Sequence, residues 1–230
     1  MIPDFAFSPQ PAVSLAIEAS DARFPVNRIF CIGRNYAAHA VEMGHDPNRE
    51  PPFFFLKPVT AVVTDGTFSC PQAAGEVHHE VELVVALGSG GKDIPIESAM
   101  DCVFGYGIGL DMTLRDIQAE AKRLGRPWDV AKGFDGSAPC GPLVPASRSG
   151  HLAKGTISLS INGTERQSGD LDQMIWKIPE IINILSRYFR LLPGDLIMTG
   201  TPAGVGPVEP GDRLHARIDG VGELTVSVQG

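Results

Sequence analysis

Two glutamates separated by one residue, Glu80 and Glu82, lie in the string VHHEVELVVAL at 77–87. Side chains two apart on a strand leave the same face. The spacing therefore predicts that both carboxylates project together, with His78 beside them, while Val81, Leu83 and Val85 turn to a core. Two carboxylates held side by side repel unless a cation sits between them. Asp111 follows the apolar run Tyr106–Leu110, from which an acidic side chain can be aimed into a cleft. Three carboxylates with no cysteine among them make a hard, oxygen-rich set suited to Mg²⁺ or Mn²⁺, with Ca²⁺ also admissible. Plainer readings exist for the same residues. Glu-x-Glu also describes a solvated strand face, and an Asp at a strand-to-helix junction also describes a helix cap.

A second pair has acid–base character. His39 and Glu42 are three apart in a segment with helical patterning, a spacing that lets them touch. A carboxylate on one ring nitrogen fixes the tautomer and raises the basicity of the other, which makes a general base for water. A surface contact without a role has the same spacing. The segment 44–52, with its Gly, Asp, Asn and Pro residues, could let that helix open and close as a lid. Lys132, in a Gly-rich loop, and Arg115, just after Asp111, could each neutralise a substrate carboxylate or an oxyanion, or be ordinary surface cations. The run GTPAGVG at 200–206 lacks the Lys-Ser/Thr of a phosphate loop. It reads as a tight turn that presents Thr201 to a ligand.

These residues need elements to hold them. Strands are expected at Arg28–Gly33, Phe53–Lys57, Val77–Leu87, Val103–Leu110, Leu196–Thr199, Arg213–Ile218 and Glu223–Val228. Asn162-Gly163 between Ile157–Ile161 and Thr164–Gln167 marks a hairpin. Helices are expected at Asn35–Gly44, after a Thr113-x-x-Asp116 capping box, and at Pro179–Leu191. In the last of these, Ile181, Ile182, Leu185, Tyr188 and Phe189 share a face. Residues 126–142 read as a long ordered loop. The result is strand-dominated α+β without alternating βαβ units. Residues 1–25 read as an N-terminal arm, irregular or strand-forming, and 26–230 as a single catalytic domain.

The bulk properties fit a soluble globular protein with one sizeable core. The chain has 230 residues, and its 26 Gly and 19 Pro favour turns and short strands over long helices. A formal net charge of −8 argues against nucleic acid or an anionic membrane as partner. The start has no basic stretch followed by an apolar run, so no signal peptide is expected. No apolar run is long enough to span a membrane. Cys31, Cys70, Cys102 and Cys140 are too scattered for a zinc pair and suit reduced thiols in the cytoplasm.

Six strings in order, CIGRNYAAHAVEMG (31–44), FLKP (55–58), HHEVELVV (78–85), GYGIGLDMTLRDIQ (105–118), WDVAKGFDGSAPCGP (128–142) and PGDLIMTGTPAGVG (193–206), resemble the fumarylacetoacetate hydrolase family over about residues 26–228. The resemblance implies a mixed β-sandwich roll of that family's C-terminal domain type and a homodimer. It implies Glu80, Glu82 and Asp111 as ligands of Mg²⁺ or Mn²⁺, and His39 with Glu42 as a water-activating dyad on a lid. It further implies Lys132 at the cleaved carbonyl, and Arg115, Gln118 and Thr201 at the keto-acid end of a small-molecule substrate. Within the family the chain resembles the compact acylpyruvate and fumarylpyruvate hydrolase members, which implies carbon–carbon hydrolysis of fumarylpyruvate in gentisate breakdown. Similar members decarboxylate oxaloacetate or isomerise and decarboxylate homoprotocatechuate-derived acids. A non-catalytic dicarboxylate-binding protein is a further alternative, although a structural metal site needs no base. A glycosidase reading of the acidic pair is poor, because one shared strand face suits a cation better than an acid and a nucleophile flanking a sugar bond.

Overall fold

The computed structural model describes residues 5–42, 50–72 and 75–230. A six-stranded mixed sheet runs in the order Val144–Pro145, Val103–Leu110, Val81–Leu87, Asp195–Met198, Arg28–Gly33, Phe53–Lys57. Its pairs are antiparallel except Asp195–Met198 with Arg28–Gly33. A five-stranded sheet runs Thr164–Asp170, Thr156–Ile161, Arg213–Ile218, Gly222–Gln229, Thr67–Ser69. Its hairpin turns at Asn162 and Gly163, both with positive φ, as the Asn-Gly dipeptide requires.

The main core lies between these sheets. Val81, Leu83, Val85, Ile108 and Leu110 meet Ile157, Leu159, Leu214, Ala216 and Val226 there, with Ile181, Ile182 and Leu185 of the helix Ile178–Tyr188. Val84 and Ala86 point the other way, into a second core with Leu15, Phe24, Cys31, Cys140 and Met198. Val81–Leu87 is thus buried on both faces, which is why it is apolar throughout except at Glu82. Leu15 and Phe24 come from a hairpin, Ser14–Ile17 with Ser20–Pro25, that gives the N-terminal arm its strands. The four cysteines are free thiols. Among the described residues no helix is long and apolar enough to cross a membrane.

Several local expectations change. The strand expected at Val77–Leu87 breaks at Glu80 into Val77–His79 and Val81–Leu87. The Val81 N–H donates to the Gln167 side chain instead of to a strand, and Val77–His79 joins a small sheet with Thr113–Leu114 and Gly206–Pro207. His78 consequently pairs with Glu76 and Arg115 and not with the two glutamates. The capping box is absent: Thr113 donates its hydroxyl to the Asp111 carbonyl, and Leu114 caps the helix Arg115–Leu124 without a side-chain bond. Gly125 ends that helix in the left-handed conformation. Tyr188 leaves the apolar face and is exposed, because the helix stops there. The first helix covers Ala37–Glu42; the rest of its expected span and the segment 43–49 lie outside the described residues. Residues 126–142 hold a short helix, Asp129–Lys132, which aims Lys132 inward.

Candidate active site

Glu80 sits at the break between two strands, where its carbonyl accepts the Asp111 N–H at 2.8 Å. Glu82 lies two residues on, opposite Gly109. Asp111 closes the group at the end of Val103–Leu110. One carboxylate oxygen from each lies within 4.8 Å of the others, and all three residues are buried. Same-face projection of Glu80 and Glu82 therefore survives the break in the strand.

Cations ring this cluster. Lys132 Nζ donates to Glu80 Oε2 at 2.8 Å and to Asp111 Oδ2 at 2.6 Å. Arg115 donates to Glu80 Oε1 at 2.6 Å and to Gln118 Oε1 at 2.7 Å. Burial works to raise the Glu80 carboxyl, but Lys132 and Arg115 win and hold it below the usual carboxylate range. The Lys132 ammonium is pushed up to about 12, because Asp111 and Glu80 outweigh the cost of burying it. Glu82 behaves oppositely. Burial first, then Asp111 and Glu80, raise its carboxyl well above the usual range, and among the described residues only the Gly200 N–H, at 2.7 Å, donates to it directly. Gly200 can deliver that N–H because its φ of +90° is open to glycine and a Cβ there would lie 2.7 Å from Asn35 Cβ.

These features fit a divalent cation. Among the described residues, buried Asp111 Oδ1 has no hydrogen-bond donor aimed at it and meets Lys57 Nζ, at 2.7 Å, only as an ion-pair partner. Glu82 has a carboxylate-rich surrounding that a small hard cation would relieve. Glu80, Glu82 and Asp111 would hold that ion.

His39 lines the same cleft, with Glu42 behind it. His39 Nδ1 is 3.1 Å from Glu42 Oε2, and the His39 side chain is nearly buried. With Nδ1–H donated to the carboxylate, Nε2 carries the free lone pair. Asn35 anchors the start of this helix through bonds to Thr199 O, Trp176 O and Trp176 N. Gln118 is buried beside Arg115 and lines the cleft. Thr201 also lines it, but its hydroxyl donates to Val81 O and accepts from Gln167 Nε2, so its proton is committed to the scaffold.

Lys57 escaped the sequence reading. Its ammonium is fully buried and reaches the carbonyls of Met112, Lys132 and Ser137, the Ser137 hydroxyl and the Asp111 carboxylate. The available signal was a lysine closing the apolar strand FFFLK ahead of Pro58. Gln167, which joins His79, Val81 and Thr201, also escaped it, because a glutamine in a polar hairpin carries no mark of burial. Arg34, Phe53, Phe55, Lys122 and Trp128 also line the cleft, which opens to solvent.

A strand-dominated α+β fold carrying a buried acidic triad and a neighbouring His–Glu pair defines the class. Residues 28–229 match the family described as fumarylacetoacetate (FAA) hydrolase C-terminal, and the chain belongs to that family. It is similar to a fumarylpyruvate hydrolase from Pseudomonas aeruginosa, solved in complex with Mn²⁺ and pyruvate: 53% identity, a TM-score of 0.96, and coverage of 98% of this chain and 99% of that one. It is also 43% identical to the oxaloacetate tautomerase YcgM of Escherichia coli, over 86% of this chain and 90% of the relative. The mitochondrial oxaloacetate decarboxylase of Dictyostelium discoideum is 43% identical, over 84% and 89%.

Proposed function

We propose that this protein is a metal-dependent hydrolase that cleaves a carbon–carbon bond in an acylpyruvate, with fumarylpyruvate going to fumarate and pyruvate. The observation that carries this reading is the His39–Glu42 pair, whose His39 lines the same cleft as the carboxylate triad. A site that only bound a dicarboxylate would need no base. A divalent ion bound by the triad would supply Lewis acidity at the keto-acid end and positive charge for a developing enolate.

The chain's own residues account for the rest. Arg115 and Gln118 orient the keto-acid end. His39, held in one tautomer by Glu42, takes a proton from water, which attacks the distal carbonyl. Lys132 neutralises the oxyanion. The carbon–carbon bond then breaks with its electron pair on the pyruvate side, and that carbon is protonated to give pyruvate. Charge balance favours an anionic substrate. Three carboxylates face three close cations, Lys57, Lys132 and Arg115, so a divalent ion would leave two positive charges uncompensated. Similarity to the P. aeruginosa enzyme supports the choice of fumarylpyruvate.

A second reading is favoured by the relatives that act on oxaloacetate. There the same His39–Glu42 pair would move a proton between carbon and oxygen, or protonate the enolate left when the keto form loses carbon dioxide, with no attacking water. The Mn²⁺-loaded protein should be offered fumarylpyruvate, acetylpyruvate and oxaloacetate separately, with products identified by NMR. Fumarate and pyruvate from the first substrate support the hydrolase. Turnover of oxaloacetate alone would replace it with the second reading.

A further inference from the structure

The outer half of the cleft has a chemistry that the keto-acid end does not use. Phe53 and Trp128 meet edge to face with centroids 5.1 Å apart, and Phe55 lies 5.8 Å from the same Trp128 ring. A cation stands over each of the first two rings: Arg34 Cζ is 5.4 Å from the Phe53 centroid and Lys122 Nζ is 5.2 Å from that of Trp128. The Lys122 stem belongs to the helix Arg115–Leu124, one face of which also carries Arg115 and Gln118.

Among the described residues, carboxylates are sparse around both cations. Among the described residues the nearest anion to Arg34 is exposed Glu50, at 4.0 Å, and none lies within ion-pair distance of Lys122. Lys122 is partly buried and its ammonium is pushed down to about 8, by loss of solvation and then by Arg115 and Arg34. Two positive groups facing one opening, one with only a distant exposed partner and the other with no ion pair among the described residues, are costly unless an anion visits. Arg34 carries a further cost. Its φ of +59° is the left-handed conformation, which a glycine would adopt without strain. An arginine retained there points to a use for its guanidinium.

We propose that Arg34 and Lys122 bind a carboxylate at the far end of the substrate's acyl group, and that Phe53, Phe55 and Trp128 flank the planar chain leading to it. The inference rests on the acylpyruvate reading and sharpens it: the preferred substrates are acylpyruvates that end in a second carboxylate. A fumaroyl group meets that description and an acetyl group does not.

The test compares fumarylpyruvate with acetylpyruvate in the Mn²⁺-loaded wild type and in Arg34→Gly, Lys122→Gln and Lys122→Arg. The quantity read is the ratio of kcat/KM for the two substrates. Loss of a charged hydrogen-bond partner for a carboxylate predicts a fall in that ratio of about 10- to 100-fold in Arg34→Gly and Lys122→Gln. Lys122→Arg should keep most of it. Arg34→Gly relieves backbone strain, so an unchanged or raised Tm separates its effect from misfolding. Equal losses on both substrates, or an unchanged ratio, would overturn the inference. If the wild type binds both acylpyruvates but cleaves neither, the hydrolase reading fails by itself. The inference is then decided by the ratio of the two Kd values in the same variants, measured by calorimetry.

Discussion

The backbone N–H of Gly204 donates to both carboxylate oxygens of Glu42, at 3.0 and 3.1 Å, and so ties the helix of His39 to the loop that follows Thr199. The Glu42 carboxylate is thus held on two sides, by the loop amide and by the His39 ring. Gly204 is suited to this approach. Its φ is +97°, and a Cβ there would lie 2.0 Å from the Arg166 carbonyl oxygen. The first prediction follows from this clamp. Glu42→Gln should lower kcat/KM for fumarylpyruvate by about 10²-fold, because a neutral amide raises His39 basicity far less than a carboxylate does. Mn²⁺ affinity should be unaffected. Steady-state kinetics beside a metal titration would check it, and near-normal turnover would remove His39 and Glu42 from the chemistry.

Lys57 anchors what lies behind Asp111. Lys57→Met leaves three backbone carbonyls, the Ser137 hydroxyl and a buried carboxylate short of a donor or a counter-charge. Breaking a buried pair in this way costs about 3–5 kcal/mol. The variant should melt at a clearly lower temperature even without metal. An unchanged Tm would show that water replaces the ammonium at no cost.

The two outcomes for Glu80 and Lys57 show what the sequence made legible. Glu80, Glu82 and Asp111 could be found from it, because a period of two and a polar residue ending an apolar run are local signals. The recurring strings then tied them to His39, Glu42, Lys132, Arg115 and Gln118. The break at Glu80 could not be read, since it depends on Gln167, 86 residues away, accepting the Val81 N–H. Lys57 was hidden for the same reason. Its partners Met112, Lys132 and Ser137 lie 55, 75 and 80 residues along the chain. A lone lysine at the end of a strand otherwise reads as an edge residue in solvent. The Thr113 capping box failed because the helix begins at Arg115, which puts Leu114 and not Thr113 at the cap position.

Metal should stabilise the fold through the triad. At a free Mn²⁺ concentration about 100 times its Kd, linkage contributes about 2.7 kcal/mol, which for a chain of this size is roughly 5–10 °C in Tm. Glu82→Gln should lose most of that shift. Without metal the variant should be no less stable than the wild type, because it removes a carboxyl whose charged form is disfavoured by burial and then by Asp111 and Glu80. Thermal melts with and without Mn²⁺ read both effects, and an undiminished shift would place the ion elsewhere.

The mouth cations give a pH signature. Lys122 is a cation whose proton is held weakly, down to about 8, by burial and by Arg115, Arg34 and Lys132, with Glu80 opposing them. It is charged below that value and loses its charge as pH rises through it. For the free enzyme, kcat/KM on fumarylpyruvate should therefore fall above about pH 8. Lys122→Arg keeps its charge and should flatten that limb. A limb that is the same in both proteins would assign it to another group.

The most direct test of the account is hydrolysis of fumarylpyruvate by the Mn²⁺-loaded protein in ¹⁸O-labelled water, with both products analysed by mass spectrometry. Attack of water activated by His39 on the distal carbonyl predicts fumarate carrying one solvent-derived ¹⁸O per molecule in its newly formed carboxylate, in equal amount with pyruvate. Absence of fumarate, with the protein acting only on oxaloacetate, would contradict the account.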